Sequence, residues 1–178
     1  DEETGEYNYP YLKHLLPGRE LVVVHLAYRI QGLMVARGNP QNIGGFDDQE
    51  RDDITFINRQ KGSGTRVLLD SELRKHGINP LKVKGYEREV DTHLAVAISV
   101  SRGEADVGLG IQAAVDTNEL DFIPLLRERY DLVIPIENYK SKLIQPLLKT
   151  IASTDFKAVV AKVGGYDTSQ TGSTTFFP

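Results

Sequence analysis

Cysteine is absent from the 178 residues, which excludes thiol catalysis, disulfides and every zinc site built on cysteine, and is compatible with any redox compartment. An excess of positive charge is also missing: 21 Lys and Arg stand against 25 Asp and Glu, a formal charge of −4 at pH 7. The chain as a whole is no coat for nucleic acid, and any anion it binds must be met locally. The longest apolar runs, residues 21–24 and 94–98, fall far below the roughly 20 residues that a membrane span requires. Neither an initiator Met nor a charged-then-apolar leader precedes the acidic start Asp1-Glu2-Glu3, so the sequence reads as a cut inside a longer protein.

What is present is ordinary globular usage, 40% hydrophobic and 26% charged, which excludes a disordered tail, a collagen or a disulfide scaffold. A chain of this length makes about one domain or two small lobes and buries nearly 70% of its unfolded surface. Residues 1–20, with Tyr7, Tyr9, Tyr11, Leu12, Leu15 and Leu16 closed by Pro17-Gly18, read as a short helical or irregular segment. Residues 21–36 read as one long or kinked strand, and the turn-rich break near residue 40, followed by a short helix over 46–51, opens a new lobe.

From there strands are expected over 54–58, 81–86, 106–109 and 121–124, alternating with helices over 65–76, 92–102 and 111–118. That alternation predicts an α/β lobe with a mainly parallel sheet covered on both faces. A further strand is expected over 130–134 and helices over 142–152 and 154–163, while the Ser/Thr/Gly-rich residues 166–178 read as a frayed tail.

The densest chemical signal is NRQKGSGTR over residues 58–66, which leaves a strand and enters a helix. Gly62 and Gly64 let the backbone approach a ligand, Ser63 and Thr65 offer hydroxyls, and Arg59, Lys61 and Arg66 add charge. The unpaired amides of a helix's first turn carry about half a positive charge, so the segment is a candidate oxyanion cradle. The plainer explanation is a helix cap, since any strand-to-helix turn favours Ser or Thr there. Gly-Lys followed by Ser or Thr is absent, so nucleotide hydrolysis has no support.

Asp91-Thr92-His93 marks a second helix start, expected at the same carboxyl edge of the sheet, with Asp91 a good cap and a lone His such as His93 more often a surface or capping residue than a ligand contact. His14, His25, His76 and His93 show no metal spacing, and His76 beside Gly77 suits a cation at a helix end. No metal and no cofactor are therefore expected. Gly108 and Gly110 fit a loose dinucleotide pattern but are better read as a tight strand-to-helix turn exposing amides. Glu87, Glu89 and Asp91 alternate as a solvated face does, without a catalytic constellation beside them.

The stretches YRIQGLMVARGNP (28–40), NRQKGSGTR (58–66), DTHLAVA (91–97), ADVGLG (105–110) and RYDLVIP (129–135), in this order and spacing, span nearly the whole chain. Together they resemble the periplasmic-binding-protein-like domain of the kind fused to molybdopterin molybdenumtransferases or to helix-turn-helix DNA-binding domains. The resemblance implies a type II receptor fold of two α/β lobes joined by two crossing strands, near residues 29–37 and 127–135. On that template residues 1–35 and 136–178 form a partial first lobe and 36–135 a complete second lobe. The chain departs from the family in lacking the amino-terminal βαβ part of the first lobe.

Carried over position by position, the resemblance implies that Ser63, Gly64 and Thr65 line an interlobe cleft at one helix start, Thr92 and His93 at another, and Tyr130 at the second crossing. Arg29 is a hinge-side candidate, Arg59, Lys61 and Arg66 suit a pterin phosphate, and Gly110 belongs to the same edge. The implied ligand is a molybdate- or tungstate-like oxyanion or a molybdopterin-related anion. The implied role is sensing for an attached catalytic or DNA-binding domain, not catalysis, with no direct nucleic-acid contact and no membrane. The cytoplasmic fusion partners of the family imply a cytoplasmic location. Two other readings stay open: a nucleotide-binding oxidoreductase or transferase using the turn at Gly108 and Gly110, and a purely structural or dimerising module, a homodimer included.

Overall fold

The computed structural model describes residues 8–115 and 119–178, so Tyr7 and the 116–118 end of one expected helix lie outside the described residues. The chain packs as two compact units, one ending at Arg29 and resuming over Glu128–Pro178, the other Ile30–Arg127. Two 16-residue strands, β1 (Leu21–Ala36) and β5 (Leu120–Pro135), carry the chain from one unit to the other and back.

In the unit of residues 30–127 the order is β2 (Phe56–Arg59), α2 (Gly64–Lys75), β3 (Glu89–Val90), α3 (His93–Ser101) and β4 (Val107–Ile111). The sheet runs β3-β2-β4-β1-β5 and is open and mixed. β2 is parallel to β3 and to β4, with Arg59 opposite Val90 and Ile57 opposite Gly108, while β1 is antiparallel to β4. Because side chains alternate along a strand, the central strands feed two clusters. Leu33, Val35, Phe56, Val107 and Leu109 pack with Leu69 and Leu73 of α2, and Met34 and Ile57 pack with Val96, Ala97 and Val100 of α3. Strands buried on both faces read as continuous apolar runs, which is how β1 was recognisable.

The other unit holds α1 (Tyr9–Leu15), α4 (Ile136–Tyr139), α5 (Ile144–Ala152), α6 (Thr154–Ala161), β6 (Tyr166–Asp167) and β7 (Thr174–Phe177). Its core is thin: Leu12, Leu21 and Val23 form one cluster, and Val22, Val24 and Ile134 another. Tyr9 stacks on Phe177 at 4.3 Å between ring centroids. Helix α6 contributes no buried residue. Among the described residues, the 30–127 unit exposes only Val67, Leu81 and Leu94 of its large apolar side chains; all other such exposure, from Tyr11 to Phe176, lies here.

Four expectations need correction. Residues 81–86 are not a strand: Asn79 accepts from the Leu81 amide, Pro80 opens a 3-10 turn over Pro80–Lys82, and Gly85 sits at φ +90°. The parallel partner of β2 is the two-residue β3 instead. Residues 112–114 form a 3-10 turn where a helix over 111–118 was expected. The strands expected over 121–124 and 130–134 are one, β5, since the charged residues between them find partners in the fold. The tail is not frayed: β7 pairs with β1 from Leu21 opposite Phe177 to Val24 opposite Thr174, and β6 pairs with Tyr28 and Arg29.

The turn leading to β2 carries a pH-dependent contact. The Asp48 carboxylate accepts the amides of Gly44 at 2.7 Å and Gly45 at 3.3 Å and lies 3.4 Å from Arg51. The Gly44 amide above all holds its pKa below the ordinary 3.8. A lowered folded pKa means a contribution present above the unfolded value and lost as pH falls through the folded one. Asp48→Asn is expected to cost about 1 kcal/mol at neutral pH. Urea titrations repeated from pH 7 downward should show that gap closing below the ordinary value of 3.8.

Candidate functional site

Strand β2 ends at Arg59, and Gly62, at φ +88°, turns the chain into α2. Ser63 caps the helix: its Oγ accepts the Arg66 amide at 3.2 Å and its carbonyl the Val67 amide at 3.0 Å. The amides of Gly64 and Thr65 are first-turn donors with no intrahelical partner. A Cβ built on Gly64 would meet nothing within 4 Å, so its backbone is open to approach. Thr65 is buried.

The second start is capped by Thr92, whose Oγ1 accepts the Ala95 amide at 3.0 Å. Asp91, expected as the cap, falls one residue early, and its carbonyl instead accepts Arg59 Nη2 at 2.9 Å. Gln60 donates its amide to the Val90 carbonyl at 3.1 Å, so the segments leading into the two helices are hydrogen-bonded together. His93 belongs to the same edge, its Nδ1 lying 3.3 Å from where a Gly110 Cβ would stand. Ser63, Gly64, Thr65, Thr92, His93 and Gly110 are thus gathered at the carboxyl ends of β2, β3 and β4, the edge where open parallel sheets bind ligands.

The three cations of the segment are engaged within the protein. Arg66 is 3% exposed, places its Cζ over the Tyr86 ring at 4.0 Å from the centroid, and reaches Asp70 at 3.1 Å and Glu89 at 2.9 Å. Lys61 pairs with Glu87 at 3.3 Å across exposed surface, and Arg59 is buried with bonds to Gln60 and the Asp91 carbonyl. Burial opposes the Arg66 charge, but Tyr86 and Asp70 outweigh it and hold its pKa above the ordinary guanidinium value. Burial likewise raises the Tyr86 phenol, aided by its hydrogen bond to Asp70 at 2.7 Å. Asp70 and Tyr86 escaped sequence reasoning, with only the four-residue spacing of Arg66 and Asp70 on one helix face as a signal, and Glu89, read as part of a solvated face, is instead the ion partner of Arg66.

Gly108 and Gly110 do not form a turn. Both lie inside β4, where a Cβ on Gly108 would come within 2.4 Å of Val96 and one on Gly110 within 2.2 Å of Met34. Their missing side chains seat α3 and β1 against the strand, which leaves the turn geometry of a dinucleotide site without support here.

Arg29 and Tyr130 belong to the other unit. The Arg29 guanidinium is paired with Glu128 through Nε and Nη2 and sits over the Tyr130 ring at 4.8 Å. Both line a pocket of ≈ 280 Å³ whose other walls are apolar, chiefly Leu26, Phe156, Val160 and Val163. Deeper in this unit, His25 and Asp131 form a fully buried pair at 3.0 Å. His76 pairs with Asp47 at 2.7 Å at the end of α2. Among the described residues no group of three or more His, Cys, Asp or Glu could hold a metal, and no helix is long and apolar enough to cross a membrane.

Comparison with known proteins places the chain in a family. Residues 1–152 match the model of the PBP superfamily domain. The Bacillus subtilis protein YvgK, described as uncharacterized, is 45% identical over 172 residues, 97% of this chain and 55% of that protein, so the chain spans about half the length of this relative. A Clostridium perfringens phosphate ABC transporter substrate-binding protein, solved with bound phosphate, is 18% identical with a TM-score of 0.59, covering 80% of this chain and 70% of that one. The Synechocystis CcmR regulatory domain in complex with 2-PG is 19% identical with a TM-score of 0.59, covering 75% and 66%. Its α/β fold and the family model agree: the chain belongs to the periplasmic-binding-protein (PBP) superfamily, a family of binding and receptor proteins.

Proposed function

We propose that this domain reversibly binds a small oxyanion, a tetrahedral one such as phosphate, molybdate or tungstate or the anionic group of an organic ligand, and acts as a sensor. The observation that carries the reading is the pairing of two capped helix starts, at Ser63 and Thr92, on one carboxyl edge of parallel strands. First-turn amides and cap hydroxyls are neutral donors oriented by the fold, and such donors suit an ion already fully charged. Four charge-assisted hydrogen bonds at ~1.5–3 kcal/mol each give ~6–12 kcal/mol gross. A micromolar site needs about 8 kcal/mol net, so nearly all donors of the edge must be used. Fold neighbours that hold phosphate and 2-PG are compatible with this chemistry. A sensing role assigns the reading of the bound state to polypeptide beyond this domain, and the Bacillus subtilis relative is longer than this chain.

Calorimetry with phosphate, sulfate, molybdate, tungstate and a phosphorylated pterin tests the reading. One of them is expected to bind saturably in the micromolar range, and Gly64→Val, which places a side chain over the open amides, to weaken it at least tenfold. Silence toward all five, or binding indifferent to Gly64→Val, removes the oxyanion edge from consideration.

A further inference from the structure

Arg66 has the sequence position of a ligand contact, yet its surroundings give it another task. Its side chain is 3% exposed and two of its nitrogens are engaged: Nε by Asp70 at 3.1 Å, and Nη1 by Glu89 at 2.9 Å and, at 3.4 Å, by the carbonyl of Arg59. Its Cζ lies over the Tyr86 ring, 4.0 Å from the centroid, and the Tyr86 hydroxyl donates to the same Asp70 oxygen at 2.7 Å. One guanidinium therefore ties together the last residue of β2, the first turns of α2, and the loop that carries Tyr86 and Glu89 into β3.

We infer that Arg66 is a positioning residue, a buried cation that fixes the Ser63–Thr65 segment against the β2 and β3 ends, and does not contact the anion. The inference rests on the oxyanion reading for its functional meaning and on geometry alone for its physical claim. A planar five-donor fork stacked on an aromatic ring holds three segments at once; a lysine, a point charge on a flexible stem, does not. A direct charge contact would be partly satisfied by lysine, whereas a positioning fork would not.

The test uses the whole 178-residue chain and two variants, Arg66→Lys and Tyr86→Leu, the second leaving every formal charge unchanged. Amide hydrogen exchange in the ligand-free protein is read first. Residues 60–67 are expected to exchange at least tenfold faster in both variants while residues 96–100 of α3 keep their wild-type rates. Unchanged exchange over 60–67 overturns the inference. Should Arg66→Lys loosen α3 as well, Asp70→Asn, which conserves volume, is read by the same criterion. The second readout is titration with the inorganic oxyanion that wild type binds. Both variants are expected to lose at least tenfold in affinity, and affinity kept by Arg66→Lys but lost in Arg66→Gln would establish a direct contact and overturn the inference. If wild type binds none of the anions, the oxyanion reading fails by itself and exchange alone decides the role of Arg66.

Discussion

Gly85→Ala is expected to destabilise the protein by about 4 kcal/mol, because two independent costs fall on one atom. Gly85 sits at φ +90°, a conformation that costs a non-glycine residue about 1–3 kcal/mol. A Cβ there would also stand 2.2 Å from the carbonyl oxygen and 3.2 Å from the amide nitrogen of Phe56, which is 1% exposed in the first position of β2. Backbone cannot swing aside as a side chain can. The loop must lift, and it is held to β2 by bonds from Phe56 to the Lys84 carbonyl and from Asn58 to the Arg88 carbonyl, both at 2.8 Å. A loss of that size lowers the melting temperature by roughly 8–16 °C in a chain of this length. Gly77→Ala is the control: φ is +69° there, but a Cβ meets nothing within 4 Å, so only the conformational cost of about 1 kcal/mol is expected. Circular dichroism melts of the two variants decide it, and equal shifts would mean that Gly85 makes no close approach in solution. The same loop delivers Tyr86 and Glu89 to Arg66, so this glycine also bears on the candidate edge.

The parts of the fold that were legible from sequence are those whose signals are local. Apolar runs mark β1 and β2, and hydroxyl-bearing starts mark α2 and α3, although the cap of α3 is Thr92 and not Asp91; Ser63 and Thr92 stand three residues before the amides they accept. The long-range parts were hidden. Residues 174–177 look like polar tail until their partners in β1 are known, and Arg127-Glu128-Arg129 breaks the strand pattern of β5 only until Glu128 is seen paired with Arg29 and Arg129 with Asp131. Residues 81–86 erred in the opposite direction, with a strand-like composition overruled by Pro80 and by the backbone that Gly85 alone permits. At the candidate edge, glycines and hydroxyls were readable because a capped turn is a local motif. What the cations do was not, because Glu89 lies 23 residues from Arg66 and nothing in composition distinguishes a cation that waits for a ligand from one already satisfied.

Asp131→Ala should be comparably severe in the unit that holds the chain ends. The carboxylate, 1% exposed, accepts from Asn8 Nδ2 at 2.7 Å and Arg129 Nε at 2.8 Å, and His25 Nδ1 lies 3.0 Å away. Those groups come from three separate segments, and a fourth is bound to His25 through backbone: its amide donates to the Ser173 carbonyl and its carbonyl accepts the Gly172 amide, both at 2.9 Å. Truncation removes one acceptor and strands three donors, of which Arg129 is a cation only 20% exposed. Breaking a buried pair from one side costs about 3–5 kcal/mol, since the remaining charge stays desolvated. The thin core of this unit, to which α6 adds no fully buried residue, has little apolar burial to offset such a loss. His25 adds a second diagnostic, because its Nε2 is buried without a partner and the ring already carries an unmet cost. Removing both members as His25→Phe with Asp131→Leu should therefore recover part of the stability lost in Asp131→Ala, as apolar replacement of a buried polar pair often does. Urea denaturation of the single and double variants, followed by circular dichroism, measures the coupling; a single variant within 1 kcal/mol of wild type, about the worth of one ordinary hydrogen bond, would mean that Asp131 is not the junction of these segments.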